Sequence, residues 1–172
     1  FAYATLVDEK PLFKNNKTDK ASPKFSPDGT ELAYIDDNYK LKVLNLTTGK
    51  SREITNGENW KIVHSRFECN WSPDGKWFAL TMHDNNNYPE TDLGVVSAEG
   101  GKPLINITET AYYEASPSWV LGGNAILYRT ERYGRRRHSN YEGSEQDAML
   151  VFMNKHAYDT FVMSNEEREL LG

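Results

Sequence analysis

Short stretches in which apolar and polar positions alternate recur along this chain, separated by clusters of turn-forming residues. Glu31-Leu32-Ala33-Tyr34-Ile35, Lys76-Trp77-Phe78-Ala79-Leu80 and Asn124-Ala125-Ile126-Leu127-Tyr128 each read as a short strand. A second set follows them at Leu41–Leu46, Asp92–Ser97 and Ala148–Met153, and Arg66–Trp71 alternates in the same way. Near the start, Tyr3–Val7 and Pro11–Phe13 read as the last strands of an earlier unit. After Met153 the period becomes helical: Ala157, Tyr158, Phe161 and Val162 fall on one face of a helix. Ser164-Asn165-Glu166-Glu167 then forms a capping box, with Ser164 placed to cap a second helix and Glu167 to reach back.

The strands belong to a repeat. Phe25-Ser26-Pro27-Asp28-Gly29 returns 46 residues later as Trp71-Ser72-Pro73-Asp74-Gly75, and a degraded copy, Trp119-Val120-Leu121-Gly122-Gly123-Asn124, follows after 48 more. Two units close alike, with Thr48-Gly49-Lys50 before Ile54-Thr55 and Gly100-Gly101-Lys102 before Ile107-Thr108. Ser-Pro-Asp-Gly is turn chemistry: Pro presets φ at the first corner, Asp bonds its own downstream backbone, and Gly accepts a positive φ. Asp28 and Asp74 are therefore read as turn residues rather than metal ligands. The aromatic before each turn ends a strand, where a large ring fills the gap between neighbouring sheets. Four short strands in a unit of roughly 40–50 residues is the signature of a β-propeller blade. The sequence thus predicts an all-β partial propeller of about three four-stranded blades. A blade remnant spans 1–15, blades lie at about 20–55, 66–108 and 115–154, and a helical insert covers 155–171. Closed propellers need about four to eight blades, so this chain is expected to require the rest of its propeller or another copy of itself.

Composition narrows the reading. At 172 residues the chain fits one domain. Its formal charge of -5 and pI of about 5.4 lack the basic footprint of a nucleic-acid binder. An apolar share of 38% and a mean hydropathy of -0.73 are lean. Seven Phe, four Trp and ten Tyr compensate, since each ring can bury roughly 150–250 Å². The single cysteine, Cys69, excludes an internal disulfide and a four-cysteine zinc site, and its alternating strand marks it as a small buried hydrophobe. The longest apolar run, Ala148–Met153, is far short of a membrane span. With neither an initiator Met nor a signal-peptide pattern at its start, the chain is expected to be a processed protein or a piece of a longer one.

Candidate chemistry is sparse. A long loop in the third unit, Glu131–Ser144, carries Arg132, Arg135, Arg136, Arg137 and His138. These are the candidate substrate-binding residues, because arginine pairs bidentately with carboxylates. The alternative is a solvated loop that guards a sheet edge. In the second unit His83, Asp84, Glu90 and Asp92 lack a recognised metal-ligand spacing. There is no Gly-x-Ser-x-Gly elbow, no His-Glu-x-x-His and no phosphate-binding glycine loop, and His64, His83, His138 and His156 are scattered. No catalytic residue, metal or cofactor is assigned. Asn-x-Ser/Thr strings occur at Asn16, Asn45 and Asn106.

The Ser-Pro-Asp-Gly units, each followed by an apolar strand, resemble the WD-like repeats of Tol-type propellers. Such propellers are carried by the Tol-system translocation protein and by prolyl oligopeptidase-like and tricorn-like peptidases. The third unit narrows this: Tyr128–Gly134, Asp147–Asn154 and Ala157-Tyr158-Asp159 are similar to the propeller of bacterial tricorn-type serine peptidases, in which a blade strand runs into a helical insert. The resemblance spans about Ala2 to Leu171. It implies a catalytic Ser and His in domains beyond the propeller, beside a PDZ-like module, and none of those motifs matches a position here. The implied function is a non-catalytic segment that gates or guides peptides to a catalytic domain elsewhere. The implied partners are the remaining blades, those catalytic domains, peptide substrates and further copies of the chain. The implied location is periplasmic or otherwise extracytoplasmic, with the cytoplasm as the alternative. Two other readings remain open: a stand-alone Tol-type binding scaffold, and the propeller of a prolyl-oligopeptidase relative.

Overall fold

The computed structural model describes residues 9–14, 17–58, 67–83, 90–135 and 145–171. Among these, three antiparallel sheets form in chain order. The first contains β1 (Lys20–Phe25), β2 (Glu31–Asp36), β3 (Lys40–Asn45) and β4 (Ser51–Glu53). The second contains β5 (Cys69–Trp71), β6 (Trp77–Met82), β7 (Asp92–Ser97) and β8 (Ile105–Asn106). The third contains β9 (Glu114–Val120), β10 (Ala125–Thr130) and β11 (Asp147–Phe152), after which come helices α1 (Lys155–Val162) and α2 (Asn165–Leu171). The strands of each sheet are laid down one beside the next in a meander, so the architecture is that of a partial propeller. No helix among the described residues is long and apolar enough to cross a membrane.

Alternation along the strands decides the stacking. On β2, Ala33 and Ile35 face the second sheet and join Phe78, Leu80 and Val96 in one core. Leu32 and Tyr34 point the other way, where Leu44 and Phe13 meet them. The second sheet repeats the rule, with Phe78 and Leu80 toward the first sheet and Ala79 and Val95 toward Ile126 of the third. A sheet with two apolar faces needs a neighbour on each, so the middle sheet is the most enclosed: all six residues of β7 are buried.

Two sequence expectations need correction. Pro11–Phe13 forms no strand; instead the Phe13 ring rests on Tyr34, with centroids 4.7 Å apart. Tyr3–Val7 lies outside the described residues, as does Arg66 ahead of β5. Among the described residues the third sheet has three strands rather than four. Past β11 the Asn154 side chain accepts the Ala157 N–H at 2.8 Å and starts α1, so the chain turns helical where the other sheets add a last strand. Tyr158 and Phe161 of α1 lie 5.5 and 5.2 Å from the Phe152 ring. At α2, Ser164 and Glu167 exchange the two bonds of a capping box.

The two Ser-Pro-Asp-Gly turns are built identically. Gly29 N–H bonds the Ser26 carbonyl and Gly75 N–H the Ser72 carbonyl, each at 2.9 Å, with positive φ at both glycines. The serine hydroxyl donates to the turn aspartate, at 2.6 Å for Asp28 and 2.5 Å for Asp74. The same hydroxyl oxygen accepts the N–H that opens the next strand, from Glu31 or from Trp77, at 2.9 Å. These bonds hold both carboxyls below the ordinary aspartate range. The decayed third copy makes a tight turn at Leu121–Gly123 instead, with φ of 65° and 93° at Gly122 and Gly123.

The buried serine is therefore the hub of each turn. Ser72→Ala should cost about 1–3 kcal/mol, because it strips an acceptor from the Trp77 N–H and a donor from Asp74. Urea unfolding would measure this, and an unchanged midpoint would contradict it.

Candidate functional site

The stacked sheets are tied to one another along β1, β5 and β9. The Trp71 indole N–H donates to the Lys24 carbonyl one sheet back at 3.2 Å, and Trp119 does the same to Asn70 at 3.1 Å. Lys24 Nζ reaches Asn70 Oδ1 at 2.7 Å, and Asn70 Nδ2 reaches the Pro117 carbonyl at 2.6 Å. The turns stack as well: a Cβ on Gly75 would sit 3.7 Å from Pro27, and one on Gly123 would sit 3.4 Å from Pro73. Phe25 holds the equivalent position in the first sheet and is 64% exposed.

The two seams differ in how they are filled. In the first, Arg52 forms a two-pronged ion pair with Glu31, at 2.5 and 2.6 Å, and its Nε donates to the Ala98 carbonyl of the second sheet at 2.8 Å. Register places Trp77 and Ile105 at the corresponding positions of the second sheet: Glu31 opposes Asn45 as Trp77 opposes Ser97, and Val43 opposes Arg52 as Val95 opposes Ile105. Neither apolar side chain is covered; Trp77 is 42% exposed and Ile105 50%. Between them and Trp119 of the third sheet and Met153 just past its last strand lies an open cleft of about 460 Å³, with the exposed Asp74 on its rim.

A polar knot that the sequence did not announce joins the second and third sheets. Ser116 lies at a bulge with φ of 56°, matched by Ser22 with φ of 51° in the first sheet. Its N–H and hydroxyl both donate to the Glu68 carboxylate. Arg129 brings its Nε and Nη2 to the Ser116 hydroxyl oxygen and its Nη1 to Gln146 at 2.7 Å. The Ala-Ser-Pro string shared by 21–23 and 115–117 was the available signal.

The arginine loop is only partly described. Arg132 is half-buried, its guanidinium 5.8 Å from the Tyr112 ring centroid. Arg135 is exposed, and its N–H bonds Glu145 Oε2 at 3.2 Å. At Gly134 an added Cβ would meet the Glu145 carbonyl at 2.0 Å, so the two limbs of the loop close tightly there. Arg136, Arg137 and His138 lie outside the described residues, as do Asp84 and His64.

Other candidates have structural roles. The Asp92 carboxylate accepts from Asn106 Nδ2 at 2.8 Å and from the Thr110 N–H at 2.9 Å. Asn45 and Asn106 each bond the backbone N–H two and three residues on. His83 is buried, with Nδ1 3.0 Å from the Glu90 carbonyl, and His156 is exposed. Cys69 is buried, and burial pushes its thiol up to about 11, the mark of an unreactive group. Glu114 is fully buried; Thr110 donates to its Oε1 at 3.0 Å, while Oε2 has no hydrogen-bond partner among the described residues. Burial raises its carboxyl above the ordinary range, against the opposing pull of the Thr108 and Thr110 hydroxyls.

No protein-family model matches the chain. The uncharacterized peptidase YuxL of Bacillus subtilis is 27% identical over 135 residues, which cover 73% of this chain and 19% of that protein. A putative tricorn-like protease C-terminal subunit of Sulfurisphaera tokodaii is 26% identical over 110 residues, 64% of this chain and 12% of that one. The chain thus spans about a fifth or less of the curated relatives it matches. Among solved structures, the tricorn protease aligns with a TM-score of 0.63 at 13% identity, over 83% of this chain and 14% of its own. The β-propeller domain of the trilobed protease from Pyrococcus furiosus aligns at 0.53 with 16% identity, over 79% and 41%. The chain shares its fold with segments of these proteins.

Glu114 yields a pH prediction. A carboxyl raised in the folded state contributes stability that is complete below its unfolded value and lost as pH rises through the folded one. Glu114→Gln should therefore gain stability over the parent at pH 8, with the gain shrinking toward pH 4. Urea midpoints across that range would show this; a gain that is constant with pH would contradict it.

Proposed function

We propose that this chain is a non-catalytic propeller segment of a larger tricorn-like serine peptidase, one that gates or guides peptides toward a catalytic domain outside it. The observation that carries the reading is the stacked array of sheets, whose third member leaves Leu127 39% exposed on the face away from the second. Leu150 and Phe152 on the same face are half-buried. The corresponding faces of the first and second sheets are each covered by the next sheet, so a further blade is the natural partner. The peptidase relatives and the shared fold support the same parentage. The helices after β11 then serve as an insert that projects from the blade. Arg135, with Arg136, Arg137 and His138 beyond it, offers cationic groups to a peptide carboxylate, while Arg132 braces the loop base against Tyr112. The reading carries an extracytoplasmic location and assembly with further copies or blades.

The test is peptide hydrolysis by the full-length parent and by a variant in which Arg135, Arg136 and Arg137 are all serine. For substrates with a free C-terminal carboxylate, KM should rise by about tenfold, the loss of roughly one charge-assisted contact, with kcat unchanged. Amidated versions of the same peptides should be unaffected. A parent that hydrolyses no peptide would end the peptidase reading, and equal effects on both peptide series would remove the loop from it.

A further inference from the structure

The second seam repeats the first with its filling removed. In the first seam an arginine stem crosses between sheets, its guanidinium paired with Glu31 and bonded to the Ala98 carbonyl. In the second, Ile105 stands for Arg52 and Trp77 for Glu31. The repeat also locates the missing acceptor. Met153 N–H bonds the Asn124 carbonyl as Ala98 N–H bonds that of Lys76, so the Met153 carbonyl occupies the place that accepts Arg52 in the first seam.

What lines the opening has a definite complement. Trp77 and Trp119 present ring surface, Ile105 and Val95 present aliphatic surface, and the Asp74 carboxylate stands at the rim. Asp74 Oδ1 is bonded by Ser72 and by the Lys76 N–H, which fixes the group in place. Among the described residues, no Lys or Arg lines the cleft. Aromatic faces attract cations, an apolar floor suits a long methylene stem, and a fixed carboxylate supplies the counter-charge that Glu31 supplies one seam earlier. A wholly apolar guest would leave the carboxylate at the rim unused.

We propose that the cleft between the second and third sheets binds an arginine side chain of a peptide, supplied from outside this chain and seated where Arg52 sits in the first seam. The stem lies along Trp77 and Ile105, and the guanidinium reaches Asp74 and the Met153 carbonyl. Arginine suits the site better than lysine because its planar fork stacks on indole while donating in two directions. The inference is independent of whether the parent is a peptidase.

The experiment titrates the full chain with N-acetyl-arginine amide, its neutral isostere N-acetyl-citrulline amide, and N-acetyl-leucine amide, while the tryptophan indole N–H resonances are followed by NMR. Arginine amide should shift the Trp77 and Trp119 indoles, and citrulline and leucine amides should bind at least about tenfold more weakly. The double variant Trp77→Glu with Ile105→Arg rebuilds the first seam's pair in the second. It should stay folded and lose arginine binding, because the cleft is filled from within. If that variant does not fold, Trp77→Ala, which removes a partly exposed ring, should weaken arginine binding by about tenfold. Leucine amide binding as tightly as arginine amide, no ligand moving the Trp77 indole, or undiminished binding by a folded variant would each overturn the proposal.

Discussion

Two indole N–H groups, each reaching a backbone carbonyl one sheet back, set the geometry on which the rest of this chain depends. Trp71 finds Lys24 and Trp119 finds Asn70, and in both pairs the acceptor immediately precedes the aromatic of the earlier unit. The bond fixes the position of one sheet over the next, so that the turn glycine of each later unit settles near the turn proline of the one before. An aromatic ring alone would fill the gap without fixing the offset. The indole supplies apolar area and a directed donor together, which is why tryptophan serves at both seams.

The middle sheet has this treatment on both sides, and its strands are the most enclosed. The first sheet's outer face is met by Phe13, and Phe25 at its edge has a ring but no N–H to give. The third sheet's outer face is met near one end by Tyr158 and Phe161, which remain 50% and 47% exposed. The charged residues follow the same logic. Arg52 and Glu31 close one seam, Asp36 gathers Lys20, Lys42 and Thr18 at the far edge of the first sheet, and Ser116 ties the third sheet to Glu68. Polar contacts between sheets lie at the margins of the apolar seams, where their desolvation is partial.

Much of this was legible because the repeat is local. The alternation at Asp92–Ser97 reproduces β7, and the strand pairs around each Ser-Pro-Asp-Gly follow from turn chemistry that needs no distant partner. The serine's role escaped, since its hydroxyl works by bonding an amide five residues on, and a sequence shows Pro, Asp and Gly as the corner formers. Pro11–Phe13 reads as a strand by composition, yet a strand needs a partner edge and Phe13 spends its ring on Tyr34 instead. The helical period after Met153 was legible in the third unit, but its strand count was not, because Asn154 caps a helix at the point where a fourth strand would begin. The cleft could not be read at all. It lies where Ile105 and Trp77 stand in place of the Arg52–Glu31 ion pair of the first seam, and that comparison requires the register of both sheets.

If stacking between sheets is what stabilises the chain, protection should follow the number of covered faces rather than strand length. Hydrogen exchange read strand by strand measures this directly, since β6, β7 and β11 are all six residues long. The amides of β6 and β7, covered on both faces, should exchange slowest, and those of β11, an edge strand on the half-covered third sheet, markedly faster. Equal protection of β7 and β11 would contradict the account, because each sheet would then be holding itself together without its neighbours.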